Sequence, residues 1–516
     1  MPKFPKVILC VLDGFGVASP SPGNAVSLAD PPFFQELITY YPTKVLQASG
    51  PAVGLPWGER GNSEVGHLNL GAGRVILQDL PRINQAINDG SFVQNGAFLK
   101  VMQHVKEKAS TLHLLGLLGT GAIHAYDQHL YALIGLAAEL GVKNVALHLF
   151  MDGEDTPPKS GLQFLTNLAD KIKKYENVQI ASVTGRFYAM DRGGHWPLTQ
   201  KTLDAVLRGQ GETMADPLRA ISDRYQMNIT DEMIPPTVIT GAGNHAQALV
   251  KPEDGAIFFN FRNDRMIQLV EKFLEQAPAV KVLTMTSYKP DFDVLVGFSP
   301  MLVQDGLSEI ISKKGWTQFH AAESEKFAHV TFFFNGHRHE AWPGEERKIV
   351  SSPALVKNYA DTPQMSAREL TDLVTERIKE KDDKFVLVNY ANGDLLGHTG
   401  NIAAARQAVL VLDESLKSLA EAAEAAGALL VITADHGNCE EMIDIKTGEP
   451  NTEHTANPIP LIFYGRELRR PQRSGLNLYT LSGIVPEGML PDVAPTILNA
   501  LGVEVPMSMT GKAIDF

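Results

Sequence analysis

Only two of the 516 residues are cysteine, Cys10 and Cys439, so a disulfide framework is excluded and a reducing, cytoplasmic compartment is expected. Long apolar runs are missing too. None approaches the roughly 18–20 residues that a membrane span needs, and no membrane partner is expected. The apolar start, VILCVLD after MPKFPK, has strand length and ends in an acid. It lacks the longer core and small-residue cleavage site of a secretory leader. Positive charge is scarce: 46 Lys and Arg against 59 Asp and Glu leave a formal charge of −13. That balance argues against nucleic-acid binding but admits a small anion held by locally gathered arginines. Two nucleotide signatures are absent. There is no G-x-x-x-x-G-K-[ST] loop, and Gly14-Phe15-Gly16 is too short for G-x-G-x-x-G.

What the chain does have is an ordinary globular composition, 44% hydrophobic and 20% charged, arranged as alternating strand-length and helix-length patterns. Short Val/Ile/Leu/Phe runs between amphipathic stretches are the mark of parallel sheets covered by helices, an α/β fold. The clearest helix is predicted over 401–427, NIAAARQAVLVLDESLKSLAEAAEAAG, with Gly427 at its end. Three apolar strands each lead into an acid: KVILCVLDG into Asp13, KFVLVNYANGD into Asp394 with His398 beyond, and ALLVITADHGN into Asp435 and His436. Ligands of open parallel sheets bind beyond the carboxyl ends of the strands, so these groups are expected to converge. The middle of the chain repeats the habit with other chemistry. TLHLLGLLGTGAIH leads to His124, NVALHLFMDGED to Asp152, Glu154 and Asp155, VQIASVTGRFYAMDR to Arg186 and Arg192, and AIFFNFRNDR to Arg262 and Arg265. One domain over 1–76 and 303–516, interrupted by a second over 77–302, accounts for both sets.

Carboxylates and imidazoles at strand ends suit a divalent metal. Asp394 with His398, Asp435 with His436, His454 in EHTANP, and Asp13 are too many ligands for one closed tetrahedral site with room for substrate, so two metals are the expectation. Ser63 lies in GNSEVGHLNLGAG, a glycine-rich stretch with no helical or strand period. No G-x-S-x-G elbow surrounds it. It reads either as a nucleophile needing outside activation or as the cap of a following helix with Glu64 in its first turn. The paired arginines suit phosphate or carboxylate, although solvated surface arginine is the commoner fate. His337 and His339 in FNGHRHE read as a polar loop, and Cys439 as a small core residue.

The blocks GNSEVGHLNLGAGR, YAMDR, FRNDR, EKFAHVTFFFNG, NGDLLGHTG, ITADHGN and DVAPTILNALG…MTGK together resemble the cofactor-independent phosphoglycerate mutases of the alkaline phosphatase superfamily. The resemblance runs from about Lys6 to Lys512. It implies an alkaline-phosphatase-like metal-binding domain carrying an inserted α/β substrate domain, in a cytoplasmic, monomeric enzyme. It further implies interconversion of 3- and 2-phosphoglycerate in glycolysis and gluconeogenesis, through a phosphoserine and without 2,3-bisphosphoglycerate. Two divalent ions are implied, manganese first, with zinc or cobalt as alternatives. Carried over by motif, Ser63 is the nucleophile. Asp13, Ser63, Asp435 and His436 hold one metal, and Asp394, His398 and His454 the other. His124, Asp155, Arg186, Arg192, Arg262 and Arg265 hold the glycerate, Lys326 contacts the phosphoryl group, and Asp155 moves a proton between the two hydroxyls. The family usually reads DGRD where this chain reads DGED, so Glu154 stands in place of a substrate-binding arginine. That reversal keeps a second expectation open: a related metal-dependent phosphomonoesterase, or a mutase of altered substrate.

Overall fold

The computed structural model describes residues 3–241, 245–246, 248–353, 358–444, 446–471 and 474–516. The chain divides into two compact units. The first is formed by Met1–Gln78 with Met301–Phe516, the second by Asp79–Pro300. Each is built on an eight-stranded sheet with its own large apolar core, as expected when a chain of this length outgrows a single core.

In the first unit five strands run parallel in the order Glu345–Val350, Gln318–Glu323, Phe385–Tyr390, Val7–Leu12 and Leu429–Thr433. Ile459–Tyr464 then pairs antiparallel with Leu429–Thr433 and with Thr43–Gln47. Every residue of Val7–Leu12, Phe385–Tyr390 and Leu429–Thr433 is buried, because helices cover both faces of such a sheet; that is why these strands are continuous apolar runs. Leu12 lies opposite Tyr390, and Val11 opposite Thr433. This register delivers Asp13, the Asn392–Gly397 helix carrying Asp394, and Asp435 to the same sheet edge.

The second unit repeats the device. Its parallel strands run in the order Leu295–Phe298, Lys281–Thr286, Gly255–Phe258, Leu112–Leu118, Val145–Met151 and Val178–Gly185. Thr237–Ile239 adds antiparallel beyond the last. His124, Asp152, Glu154, Asp155, Arg186, Arg262 and Arg265 all follow carboxyl ends of central strands.

The long helix spans Ile402–Ala425, with Gly427 just beyond it at φ +62°, a left-handed conformation that glycine adopts without a Cβ clash. It also helps order the N-terminal region. The Asp413 carboxylate accepts hydrogen bonds from the amides of Phe33 and Phe34 at 3.0 and 2.7 Å, which satisfies the first turn of the Pro32–Tyr40 helix. Among the described residues, no helix is long and apolar enough to cross a membrane. Cys10 and Cys439 are buried and unpaired.

Of the two alternatives around Ser63, the following helix is present, although the cap is not the serine. The stretch without a helical period is a helix, Ser63–Ala72. Its residues are buried on every side, Glu64 excepted, so no polar face exists to create an amphipathic pattern. Its glycines provide closeness. A Cβ on Gly66 would stand 2.7 Å from Asp435, and one on Gly61 would stand 2.2 Å from the Ala48 carbonyl oxygen. Replacing Gly66 by alanine is therefore expected to lower stability by about 1–3 kcal/mol and to displace Asp435. Urea unfolding that matched the wild type would show that the close approach is not needed.

Candidate active site and metal-ligand clusters

Ser63 is the first residue of its helix, and the cap is its neighbour Asn62, whose side chain accepts from the Val65 amide at 2.9 Å. The capping role considered for Ser63 thus falls to Asn62, and the serine hydroxyl is left for other contacts. Its Oγ lies 3.1 Å from Asp13 Oδ1, 2.9 Å from His436 Nε2 and 2.7 Å from Lys326 Nζ. Lysine can only donate, so Oγ accepts from Lys326 and its single proton goes to Asp13 or to His436. His436 Nε2 is in turn 3.5 Å from Asp13 and 3.6 Å from Asp435 Oδ2.

A second cluster adjoins the first. Asp394 Oδ1 is 3.1 Å from His398 Nε2 and 3.1 Å from His454 Nε2, and the two imidazole nitrogens are 3.0 Å apart. The other nitrogen of each ring faces a carbonyl, Thr452 for His398 and Gly61 for His454. Carbonyls cannot donate, so those Nδ1 atoms carry the hydrogens and the Nε2 lone pairs of neutral rings point at one another and at a carboxylate. Three lone-pair donors aimed at one point require a cation there, either a proton or a metal. Lys326 links the clusters, with Nζ 2.7 Å from both Asp13 Oδ1 and Asp394 Oδ2.

The donor set fits divalent ions. Oxygen and nitrogen ligands at about 2.0–2.2 Å from one ion stand roughly 3.3–3.6 Å from each other in a tetrahedral shell, close to the separations in both clusters. Asp435 supplies an independent sign. Its Oδ1 is bonded to the amides of Gly14 and His436, while Oδ2, fully buried beside His67 and His436, has no hydrogen-bond partner. The first cluster is wholly buried, whereas His398 is exposed and His454 half-buried, so the second is open to a solvent-borne ligand.

Charge organisation follows from this packing. Burial and the neighbouring Asp435 push the Asp13 carboxyl above its ordinary range. Burial opposes the charges of Lys326 and Asp394, but their mutual attraction prevails: Asp13 and Asp394 raise the lysine, and Lys326 with the two histidines holds Asp394 well below the carboxylate range. Its hydrogen bond to Asp394 raises His398; His454 is also raised, burial being outweighed by the same carboxylate.

Sequence reasoning missed three supporting residues. His67 donates from Nδ1 to the Ser63 carbonyl at 2.8 Å, with Asp435 Oδ2 at 3.3 Å, and accepts at Nε2 from Asn389. Asn389 also donates to Asp13 Oδ2 at 2.8 Å, and Asn438 donates to Asp394 Oδ1 at 2.9 Å. They orient ligands rather than supply them. One signal was available for His67, the spacing of four residues from Ser63; the asparagines stood inside the quoted strand ends.

In the second unit, buried Arg186 donates from Nη1 to Asp152 at 2.6 Å and Asp155 at 2.8 Å, and its Nη2 is 2.7 Å from Glu154. Arg265 approaches the same Glu154 oxygen at 3.7 Å. Asp264, also overlooked although it lies inside FRNDR, pairs with exposed Arg192 at 2.7 Å and Arg262 at 3.2 Å. His124 is buried between Asp155 at 4.0 Å and Asp264 at 3.6 Å. Burial, reinforced by the Arg186 charge, depresses its pKa to about 4, so the ring is neutral at neutral pH. The six residues expected around the glycerate are thus gathered within the second unit, and the seven expected metal ligands with Lys326 within the first. His337 and His339 belong to neither; they pack against Phe332.

The family model described as BPG-independent PGAM N-terminus (iPGM_N) matches residues 83–290. The chain is 44% identical to the 2,3-bisphosphoglycerate-independent phosphoglycerate mutase of Thermomicrobium roseum, over 100% of this chain and 98% of that one. It is 42% identical to the Clostridium acetobutylicum protein of the same name, over 98% and 99%. A crystal structure of Leishmania mexicana phosphoglycerate mutase at low cobalt concentration aligns with a TM-score of 0.61 and 29% identity, covering 100% of this chain and 98% of that one.

The raised histidines give a two-sided pH signature. Without metal, a histidine whose folded pKa lies above its unfolded value of about 6.5 stabilises the protein fully below that value, and the contribution is lost as pH rises through the folded pKa. With metal the sign reverses, because protonated imidazole cannot ligate. Melting temperature measured from about pH 5 to about pH 9 is expected to rise with pH in excess manganese, relative to the metal-free curve. Parallel curves would exclude His398 and His454 as ligands.

Proposed function

The chain belongs to the 2,3-bisphosphoglycerate-independent phosphoglycerate mutases, and from that premise we propose that it interconverts 3- and 2-phosphoglycerate by parking the phosphoryl group on Ser63. The observation that carries this reading is the Ser63 hydroxyl itself, which is buried, accepts from Lys326 and stands against two converging sets of oxygen and nitrogen donors. Two divalent ions, manganese for preference, would be held by Asp13, Ser63, Asp435 and His436 and by Asp394, His398 and His454. When bound, they neutralise charge on the phosphoryl oxygens and lower the proton affinity of the serine hydroxyl.

The chain's own groups account for the remaining steps. Ser63 Oγ attacks phosphorus as its proton passes to the Asp13 carboxylate it faces. The bond to the glycerate oxygen breaks, and Asp155, protonated when substrate is bound, hands that oxygen its proton. The glycerate reorients on Arg186, Arg192, Arg262 and Arg265. Its other hydroxyl then attacks the phosphoserine and gives its proton to Asp155, while Ser63 Oγ leaves and regains its proton from Asp13. Lys326 stays cationic and offsets charge at the nucleophile throughout. His124, kept neutral by burial, can donate to or accept from a glycerate hydroxyl. Arginines that retain the free glycerate favour transfer over hydrolysis, because water competes for the same phosphoserine. This chemistry would place the enzyme in glycolysis and gluconeogenesis.

Hydrolysis of a phosphomonoester is the competing reading, favoured by one observation: the Glu154 carboxylate lies against Arg186 and Arg265. Phosphorus NMR separates the two. Metal-free protein given 3-phosphoglycerate and then manganese, with no bisphosphoglycerate, is expected to produce 2-phosphoglycerate only after the metal is added. Free phosphate as the main product would replace the mutase reading by the hydrolytic one. Ser63→Ala is expected to abolish the phosphoenzyme and turnover, and retained turnover would remove Ser63 from the mechanism. Asp155→Asn is expected to lower kcat by about 10²–10⁴ with little change in KM; wild-type kcat would assign the proton transfer to another group.

A further inference from the structure

In the second unit four guanidinium groups, Arg186, Arg192, Arg262 and Arg265, are ion-paired with four carboxylates, Asp152, Glu154, Asp155 and Asp264. Counted this way the set is neutral, although its arginines come from separate strand ends. The four acids are not equivalent. Asp152 is buried and held by the amides of Glu154 and Asp155 as well as by Arg186. Asp155 and Asp264 are largely covered, with 14% and 28% of their side chains exposed. Glu154 is the most exposed of the four, with 48% of its side chain open to solvent and its carboxylate carried on two methylenes.

The Glu154 oxygen spans two guanidinium groups from different strand ends, 2.7 Å from Arg186 Nη2 and 3.7 Å from Arg265 Nη2. This is where an incoming carboxylate or phosphate would be received. The two other acids on Arg186 are directed at its Nη1, so Nη2 is the donor available for exchange. Buried Arg186 Nε has no hydrogen-bond partner, which leaves further capacity for an anion on the same guanidinium.

We infer that Glu154 is an internal competitor for the substrate's anionic groups: it occupies Arg186 and Arg265 in the free enzyme and exchanges off them when a ligand carboxylate arrives. Asp152 and Asp155 keep Arg186 neutralised when Glu154 leaves, so the exchange strands no unpaired buried charge. It also weakens binding, because the ligand must displace an anion that is already present. Glu154 is thus a specificity-determining residue. It disfavours weakly held monoanions and shifts the working range toward higher substrate concentration. The choice of ligand rests on the phosphoglycerate reading; the exchange itself rests on the ion pairs.

The test compares wild type, Glu154→Gln and Glu154→Asp by calorimetry with 3-phosphoglycerate on metal-free protein, beside turnover with manganese. Removing the charge is expected to tighten binding roughly fivefold to tenfold, to lower KM with kcat changed less than KM, and to steepen the salt dependence of binding. The aspartate variant, which keeps the charge, is expected to bind within about twofold of wild type. Unchanged or weaker binding by Glu154→Gln overturns the exchange, as does equal tightening by Glu154→Asp, which would mark an effect of size. Wild-type turnover separates the two ideas. Without 2-phosphoglycerate formation the mutase reading fails while the binding comparison still decides the exchange. With normal turnover and no tightening, the exchange fails alone.

Discussion

Asp13, Asp394 and Asp435 are buried at one sheet edge, and no protein can hold three desolvated carboxylates side by side without compensating cations. Lys326 is part of the answer, with its ammonium shared among Asp13, Asp394 and Ser63. The histidines that ring Asp394 are the other part, since their facing lone pairs call for a positive charge of their own. Much else in the first unit serves this requirement. His67, Asn389 and Asn438 orient the carboxylates, and Gly66 lets the Ser63 helix approach Asp435 closely enough for the hydroxyl to join them. A serine placed there accepts from the Lys326 ammonium and offers its proton to Asp13 or His436.

The second unit answers a different demand with the same architecture. Its central strands also end in charged loops, but the charges alternate in sign and pair with each other. A paired set can be buried without metal, and an incoming anion can take over some of the pairs. Burial of His124 beside Arg186 adds a neutral hydrogen-bonding ring to that set. One unit thus concentrates negative charge and awaits cations; the other holds balanced charge open to exchange.

Legibility in the sequence followed burial. Strands buried on both faces, such as VILCVL and LLVIT, are readable because parallel sheets need continuous apolar runs, and the acids that end them stand out by contrast. The Ile402–Ala425 helix is readable because one of its faces meets solvent. The Ser63–Ala72 helix shows no period, because burial on all sides removes the polar half of the pattern, and the sequence offers it only as one alternative, a capped turn with Glu64 in it. His67 and Asp264 escaped for a related reason. Each has one local partner, Ser63 or Arg262, and one far away in the chain, Asn389 or Arg192, and spacing along a sequence carries no information about the distant meeting.

The order of charged residues along the chain, the apolar runs before them and the glycine-rich approach to Ser63 are local properties, so the sequence by itself determined the α/β class and the types of ligand on offer. Tertiary structure alone decided which of them meet. Strand register brings Asp13, Asp394 and Asp435 to one edge across some 420 residues of chain, and side-chain geometry turns Glu154 onto Arg186 and Arg265 rather than into solvent. The physical reason is range. Propensity and periodicity act over a few residues, whereas electrostatic compensation in a dry interior acts between whichever groups the fold brings within a few ångströms.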